Sequence, residues 1–137
     1  KRRQRLYGMP DELGLVDRAA FIGAVDEADL PCLYSWASLF VFPSLYEGFG
    51  LPPLEAMACG CPVVASDAAS IPEVVGRAAM LVDANDPCML AARMEEALSS
   101  NAMREEFRGR GLERAALFTW EAAAKKTLEV YREVYNS

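Results

Sequence analysis

Two glutamates bracket a glycine-rich stretch in the middle of the chain. Glu47 and Glu55 have seven residues between them, and that interval opens with Gly48-Phe49-Gly50-Leu51 and continues with two prolines. Glycine lets a backbone approach a ligand closely, and the first N–H groups of a helix are unpaired and partly positive. The N–H groups of residues 48–51 therefore form a candidate nest for a diphosphate or a sugar hydroxyl.

The two carboxylates indicate what would lie beside such an anion. A carboxylate repels phosphate but accepts hydrogen bonds from two hydroxyls, so it suits a neutral diol. A nucleotide sugar presents hydroxyls on both sides of its diphosphate, on the ribose and on the hexose. Each charge-assisted hydrogen bond could contribute about 1.5–3 kcal/mol. The alternative is that both glutamates are ordinary solvated or helix-dipole residues, and that Phe49 packs into the core.

Four short apolar runs predict the strands that would position this stretch. None of them alternates with polar residues, which is typical of strands buried on both faces of a sheet. The runs cover residues 19–22, 39–42, 62–65 and 79–82. The candidate nest directly follows the second run, where a parallel sheet binds ligands outside the carboxyl ends of its strands.

Helical signals occupy the intervals between these runs and the last third of the chain. Residues 30–37 have helical apolar spacing, and residues 51–59 can form a short helix. Strands that alternate with helices imply a parallel α/β sheet with right-handed crossovers. The sequence thus predicts a Rossmann-like sheet with helices on both faces and a helical C-terminus.

Capping residues fix where several of these helices should start. Ser70 and Glu73 have the spacing of a capping box, while Asp86 and Thr119 are expected N-caps of later helices. A helix over residues 102–117 contains Gly109 and Gly111, which should weaken it.

Composition excludes several classes of function. The net charge of −6 argues against a nucleic-acid partner, and the chain contains no histidine, which excludes a His/Cys zinc site or a histidine-dependent triad within it. The four cysteines lack metal-ligand spacing, so we expect buried thiols in a reducing compartment. The basic start of the chain, residues 1–5, is interpreted as a solvated helix end rather than a phosphate or membrane contact. No segment is apolar and long enough to span a membrane.

The stretch from Glu47 to Val64, EGFGLPPLEAMACGCPVV, resembles the signature of glycosyltransferase family 4, the "group 1" transferases of the GT-B fold. Residues 17–23 and 70–75 resemble the segments on either side of that signature. The resemblance implies that residues 1–137 are a donor-binding C-terminal domain, incomplete at its N-terminus. The acceptor-binding domain and the family's basic pair on the diphosphate would precede it, so we expect this chain alone to bind weakly and not to turn over.

The resemblance also implies residue roles. Glu47 would lie beside the donor sugar as the catalytic residue, and Glu55 would bind the ribose hydroxyls. The turn that holds the sugar and diphosphate would be formed by Gly48, Phe49, Gly50 and Leu51. Gly23 and Val25 would lie beside the base, and Ser44 near a phosphate.

The activity implied is transfer of a hexose from a nucleotide sugar, UDP- or GDP-linked, to an acceptor hydroxyl with retention of configuration. No metal or other cofactor is expected. Glu47 would position the donor, a role favoured over covalent attack. The acceptor would be a glycan, a lipid or a small molecule bound by the missing domain. The enzyme would be cytoplasmic, with peripheral contact at the inner face of the membrane through that domain. Two alternatives stay open: a sugar-nucleotide epimerase of the same architecture, and a noncatalytic nucleotide-binding module.

Overall fold

The computed structural model describes residues 2–136, and it divides into two units, residues 1–30 and residues 31–137. The first unit contains helix α1 (Arg2–Glu12), followed by a segment with neither helix nor strand up to residue 29. Lys1 and the side chains of residues 2–5 lie outside the description, and with them the basic cluster noted in the sequence. Tyr7 and Phe21 pack edge to face in this unit, with ring centroids 4.6 Å apart.

The second unit is built on a parallel sheet of three strands in the order β1-β2-β3. These are β1 (Phe40–Phe42), β2 (Val63–Ser66) and β3 (Met80–Val82). Each lies within one residue of its predicted apolar run. The fourth prediction, a strand over residues 19–22, is wrong. Within the described residues of its own unit there is no other strand to form a ladder with it, and Ile22 is exposed.

Helices cover both faces of this sheet, as predicted. Val63 and Ala65 of β2 pack with Met57, Ile71 and neighbouring residues on one face. Val64 packs on the other face with a second cluster. The helices are α2 (Leu30–Trp36), α3 (Leu51–Ala58), α4 (Ile71–Val75), α5 (Pro87–Ser99), α6 (Asn101–Ala115) and α7 (Trp120–Tyr135).

Some of the predicted helix details are confirmed and others are not. The side chains of Asp86 and Thr119 accept from the N–H groups of Met89 and Ala122, so both N-caps form. Ser70 makes no cap, because its own backbone is already helical (φ −80°, ψ −13°) and its hydroxyl points elsewhere. The capping box is therefore not present.

The four cysteines differ in their surroundings. All four thiols are free, and Cys61 is buried while Cys59 is partly buried. Cys32 and Cys88 are exposed, so the prediction of four buried thiols is wrong for these two. Burial raises the pKa of the Cys61 thiol.

None of the described residues of helix α7 is buried. Trp120 and Tyr135 are about nine-tenths exposed. None of the described helices is long and apolar enough to cross a membrane.

Candidate functional site

The loop between β1 and α3 has the form that the sequence predicts. It runs from Pro43 to Gly50, directly after the carboxyl end of β1, and Gly50 is the N-cap of α3. Gly50 has φ 105°, a left-handed conformation that favours glycine. No side chain caps the helix, and Pro52 and Pro53 contribute no N–H group. Its first turn therefore carries few N–H groups, and these have no side-chain partner.

Four consecutive main-chain N–H groups in this loop lack a hydrogen-bond acceptor within the described part of the chain. They belong to residues 48–51. Unpaired N–H groups at a helix N-terminus attract anions, because their partial positive charge is unopposed. The side of the loop at Gly48 is open, since a Cβ atom added there would meet no heavy atom within 4 Å. The loop is thus not filled by the protein's own side chains at this point.

Two serines from neighbouring segments hold the loop through its carbonyl oxygens. Ser66, fully buried at the end of β2, donates to the carbonyl oxygen of Ser44 at 2.5 Å. Ser70, at the start of α4, has a single hydroxyl proton, which is shared between the carbonyl oxygens of Glu47 at 3.0 Å and Phe49 at 2.8 Å. Because these bonds use carbonyl groups only, they fix the backbone while its N–H groups stay free.

Glu47 is half-buried, and a neighbouring side chain orients it. The Ser44 hydroxyl donates to Oε1 of Glu47 at 2.8 Å and also lies 3.3 Å from the carbonyl oxygen of Tyr46. No hydroxyl or N–H group in the described part of the chain donates to Glu47 Oε2, so this oxygen can accept from a ligand hydroxyl. The serine predicted to lie near a phosphate is thus in contact with the predicted catalytic carboxylate.

Glu55 is exposed on α3, on the same face as Leu51 one turn earlier. Its Oε2 accepts a hydrogen bond of 3.2 Å from the hydroxyl of Tyr34 on α2. Burial, together with the charge and hydrogen bond of Glu55, raises the pKa of Tyr34 to about 12. Tyr34 is therefore a neutral hydrogen-bond donor at any physiological pH.

Phe49 is partly packed and partly open. Its ring meets that of Phe118 edge to face, with centroids 6.0 Å apart, and 44% of the residue stays exposed. The guanidinium of Arg114 lies 4.9 Å from the Phe118 ring centroid and donates to the carbonyl oxygens of Glu73 and Val74. The segment between α6 and α7 therefore supports the middle of the loop.

Gly23 and Val25 belong to the first unit, so the site described here consists of second-unit residues. Gly23 has φ 69° and is exposed, while Val25 is partly buried. The sequence also failed to indicate four residues that contact the loop or its glutamates: Tyr34, Ser66, Ser70 and Phe118. The helical spacing of residues 30–37 placed Tyr34 on the apolar face of α2 but did not indicate that its hydroxyl reaches Glu55.

These features are those of a GT-B sugar-transferase domain, and comparison with known proteins identifies the family. The family model described as glycosyl transferases group 1 matches residues 1–114. The chain belongs to this family. It is 46% identical over 112 residues to the O-antigen chain mannosyltransferase B of Escherichia coli, covering 82% of this chain and 29% of that protein.

Solved structures show the same fold. Sucrose-phosphate synthase from Thermosynechococcus elongatus matches with a TM-score of 0.83 and 38% identity, over 98% of this chain and 35% of that one. The Anabaena protein HepE, solved in complex with UDP and glucose, matches with a TM-score of 0.85 and 25% identity, over 95% and 36%. The chain spans about a third of the length of each of these proteins. The Rossmann-like parallel fold of a GT-B C-terminal domain is thereby confirmed.

Proposed function

We propose that residues 44–55 bind a nucleotide-diphospho-sugar, and that the complete enzyme transfers its hexosyl group to an acceptor hydroxyl with retention of configuration. The observation that carries the proposal is the run of four unpaired N–H groups, residues 48–51, at the carboxyl end of β1. A carboxylate that accepts a hydrogen bond from a hydroxyl group lies on each side of this run, Glu47 before it and Glu55 after it. The UDP and glucose in the related HepE structure support this choice of ligand.

The chemistry follows from where charge develops. As the nucleotide diphosphate departs, negative charge grows on its oxygens and positive character grows on the anomeric carbon. Fixed N–H groups stabilise the negative charge on the diphosphate without reorganising during the reaction. In the proposal, the Glu47 carboxylate positions the sugar and stabilises the positive character of the anomeric carbon. The departing phosphate takes the proton of the acceptor hydroxyl. Glu55 accepts from the ribose hydroxyls, and Ser44 contributes through Glu47.

The proposal places the diphosphate charge on main-chain donors and needs no metal ion. We therefore expect transfer by the complete enzyme to continue in excess EDTA. The acceptor, which we propose is a glycan, a lipid or a small molecule, binds to a part of the enzyme outside this chain. We also propose a cytoplasmic location, with which the free thiols accord, and contact with the inner face of the membrane through that other part of the enzyme.

Thermal stabilisation of the complete protein by a panel of UDP-, GDP- and ADP-sugars tests the ligand class. A ligand that binds only the folded state raises the melting temperature, because it stabilises that state by a free energy that grows with the logarithm of ligand concentration over Kd, about 2.7 kcal/mol at a hundredfold excess. We expect one nucleotide class to give a clear shift. No shift with any member of the panel would refute the proposal.

Two substitutions then distinguish the roles of Glu47 and Glu55. We expect Glu55→Ala to weaken nucleotide diphosphate binding about tenfold, because ribose hydroxyls lose a charged acceptor. Glu47→Ala should lower the transfer rate much more than nucleotide affinity, because it acts at the sugar. Glu113→Ala, on the exposed surface of α6, is the matched control. Unchanged calorimetric affinity in Glu55→Ala, or an unchanged rate in Glu47→Ala, would remove that residue from the site.

A further inference from the structure

Tyr34 is the one tyrosine hydroxyl that contacts either glutamate among the described residues. Its hydroxyl lies 3.2 Å from Oε2 of Glu55, although the two residues are on different helices. Glu55 itself is exposed, and an exposed glutamate ordinarily samples several rotamers. A ligand that needs one rotamer must then order the side chain when it binds, at a cost in affinity.

The tyrosine ring is fixed by the core. It meets Phe40 of β1 edge to face, with centroids 5.2 Å apart, and Phe40 in turn stacks on Phe42 at 6.0 Å. Tyr34 packs against the buried cluster that includes Met57 and Val63. The hydroxyl of Tyr34 is therefore held in place by the sheet, and it presents a fixed donor to a carboxylate that is otherwise free to move.

We infer that Tyr34 is a positioning residue that holds the Glu55 carboxylate in the orientation that receives the ribose hydroxyls of the nucleotide. This inference rests on the proposed function. The Tyr34 hydroxyl occupies one lone pair of Oε2 and leaves Oε1 and the remaining Oε2 lone pair as acceptors for two ligand hydroxyls. Tyr34 acts through Glu55 and does not itself contact the nucleotide.

The raised pKa of Tyr34 accords with this role. A tyrosine with a pKa of about 12 keeps its proton at every pH at which the enzyme would work. It therefore donates to the carboxylate and never repels it.

The test is a thermodynamic cycle in the complete protein. Tyr34→Phe keeps the ring and its packing on Phe40 but deletes the hydroxyl, so the melting temperature should stay close to that of the wild type. Isothermal calorimetry with UDP and GDP, and with their 2′-deoxy and 3′-deoxy forms, measures affinity. We expect Tyr34→Phe to weaken ribonucleotide binding about threefold to tenfold. The same substitution should weaken binding of a deoxynucleotide less, when the missing hydroxyl is one that contacts Glu55.

The second arm repeats the substitution where Glu55 is already alanine. A residue that acts only through Glu55 has no further effect there, so Tyr34→Phe in the Glu55→Ala background should leave affinity unchanged. The same hydroxyl deletion at Tyr131→Phe, on exposed α7, is the control and should not alter binding.

The outcomes are distinguishable. Equal losses for ribonucleotides and both deoxynucleotides, or a loss that persists in the Glu55→Ala background, would show a general structural role and overturn the inference. Unchanged ribonucleotide affinity in Tyr34→Phe would also overturn it while leaving the proposed function intact. A wild-type protein that binds neither UDP nor GDP would instead refute the nucleotide site, and the inference with it.

Discussion

The hydroxyl of Ser44 donates a hydrogen bond of 2.8 Å to Oε1 of Glu47. The carbonyl oxygen of Ser44 in turn accepts from Ser66, a buried residue at the end of the middle strand β2. Through these two bonds, the direction of the Glu47 carboxylate is set by the sheet as well as by its own loop. A side chain held in this way loses little rotamer freedom when a ligand binds, which is what preorganised electrostatic stabilisation requires.

Replacing Ser44 with alanine should therefore reduce turnover more than binding. We expect Ser44→Ala to lower kcat by roughly tenfold, a barrier change of about 1.4 kcal/mol, while nucleotide affinity changes little. The backbone bond from Ser66 does not involve the deleted hydroxyl, so the fold should be kept. Steady-state rates and calorimetry with nucleotide diphosphate provide the measurement, with Ser99→Ala on the exposed end of α5 as control. A loss of affinity as large as the loss of rate would instead place Ser44 on the phosphate.

The two glycines of the loop should respond differently to alanine. Gly50 has φ 105°, so Gly50→Ala should cost about 1–2 kcal/mol of stability through backbone strain, since its new Cβ would lie a normal 3.7 Å from Ile71. Gly48 is not among the glycines with positive φ and faces open space. Gly48→Ala should therefore leave the melting temperature unchanged but weaken nucleotide binding, because its methyl group occupies the ligand side. Equal destabilisation by the two changes would contradict this assignment.

The sequence predicted the local features of the site but not the contacts between segments. The strand that ends at Phe42, the glycines and the prolines together predicted an unpaired helix start, and this is what the structure has. The bonds from Ser70 to the carbonyl oxygens of the loop join residues distant in sequence. Local spacing says nothing of such pairs, and it wrongly suggested that the Ser70 side chain caps its own helix.

For the fold too, the sequence predicted local features but not contacts between distant segments. The apolar runs at β1, β2 and β3 were predicted because buried strands have a distinct composition. Residues 19–22 have that composition too, but a strand also needs a partner, which composition does not reveal. From the sequence, Gly111 was expected only to weaken its helix. The structure explains why glycine occupies this position, because Gly111 is buried against Met57 of α3.

Alkaline pH should weaken the contribution of Tyr34 to stability. Burial first, and Glu55 second, raise its pKa from an ordinary 10 to about 12, so the folded state favours the neutral phenol. The stabilisation is complete below pH 10 and is lost as the pH rises through about 12. Difference absorbance titration of wild type against Tyr34→Phe should show one late-ionising tyrosine, whose pKa falls in Glu55→Ala. An ordinary pKa for that group would show that neither burial nor the carboxylate acts on it.

The two glycines of α6, Gly109 and Gly111, allow the effect of packing to be distinguished from that of helix propensity. Gly109 is exposed with no heavy atom within 4 Å of an added Cβ, so Gly109→Ala should raise the free energy of unfolding by about 0.5–1 kcal/mol through helix propensity. At Gly111 the same methyl would lie 3.3 Å from Cγ and 3.4 Å from Cβ of Met57, which is fully buried. There the overpacking cost of about 1–3 kcal/mol exceeds the propensity gain, so Gly111→Ala should be destabilising. Urea unfolding of both variants measures the difference. If Gly111→Ala proved as stable as Gly109→Ala, the close approach of α6 to α3 would not be what selects glycine at that position.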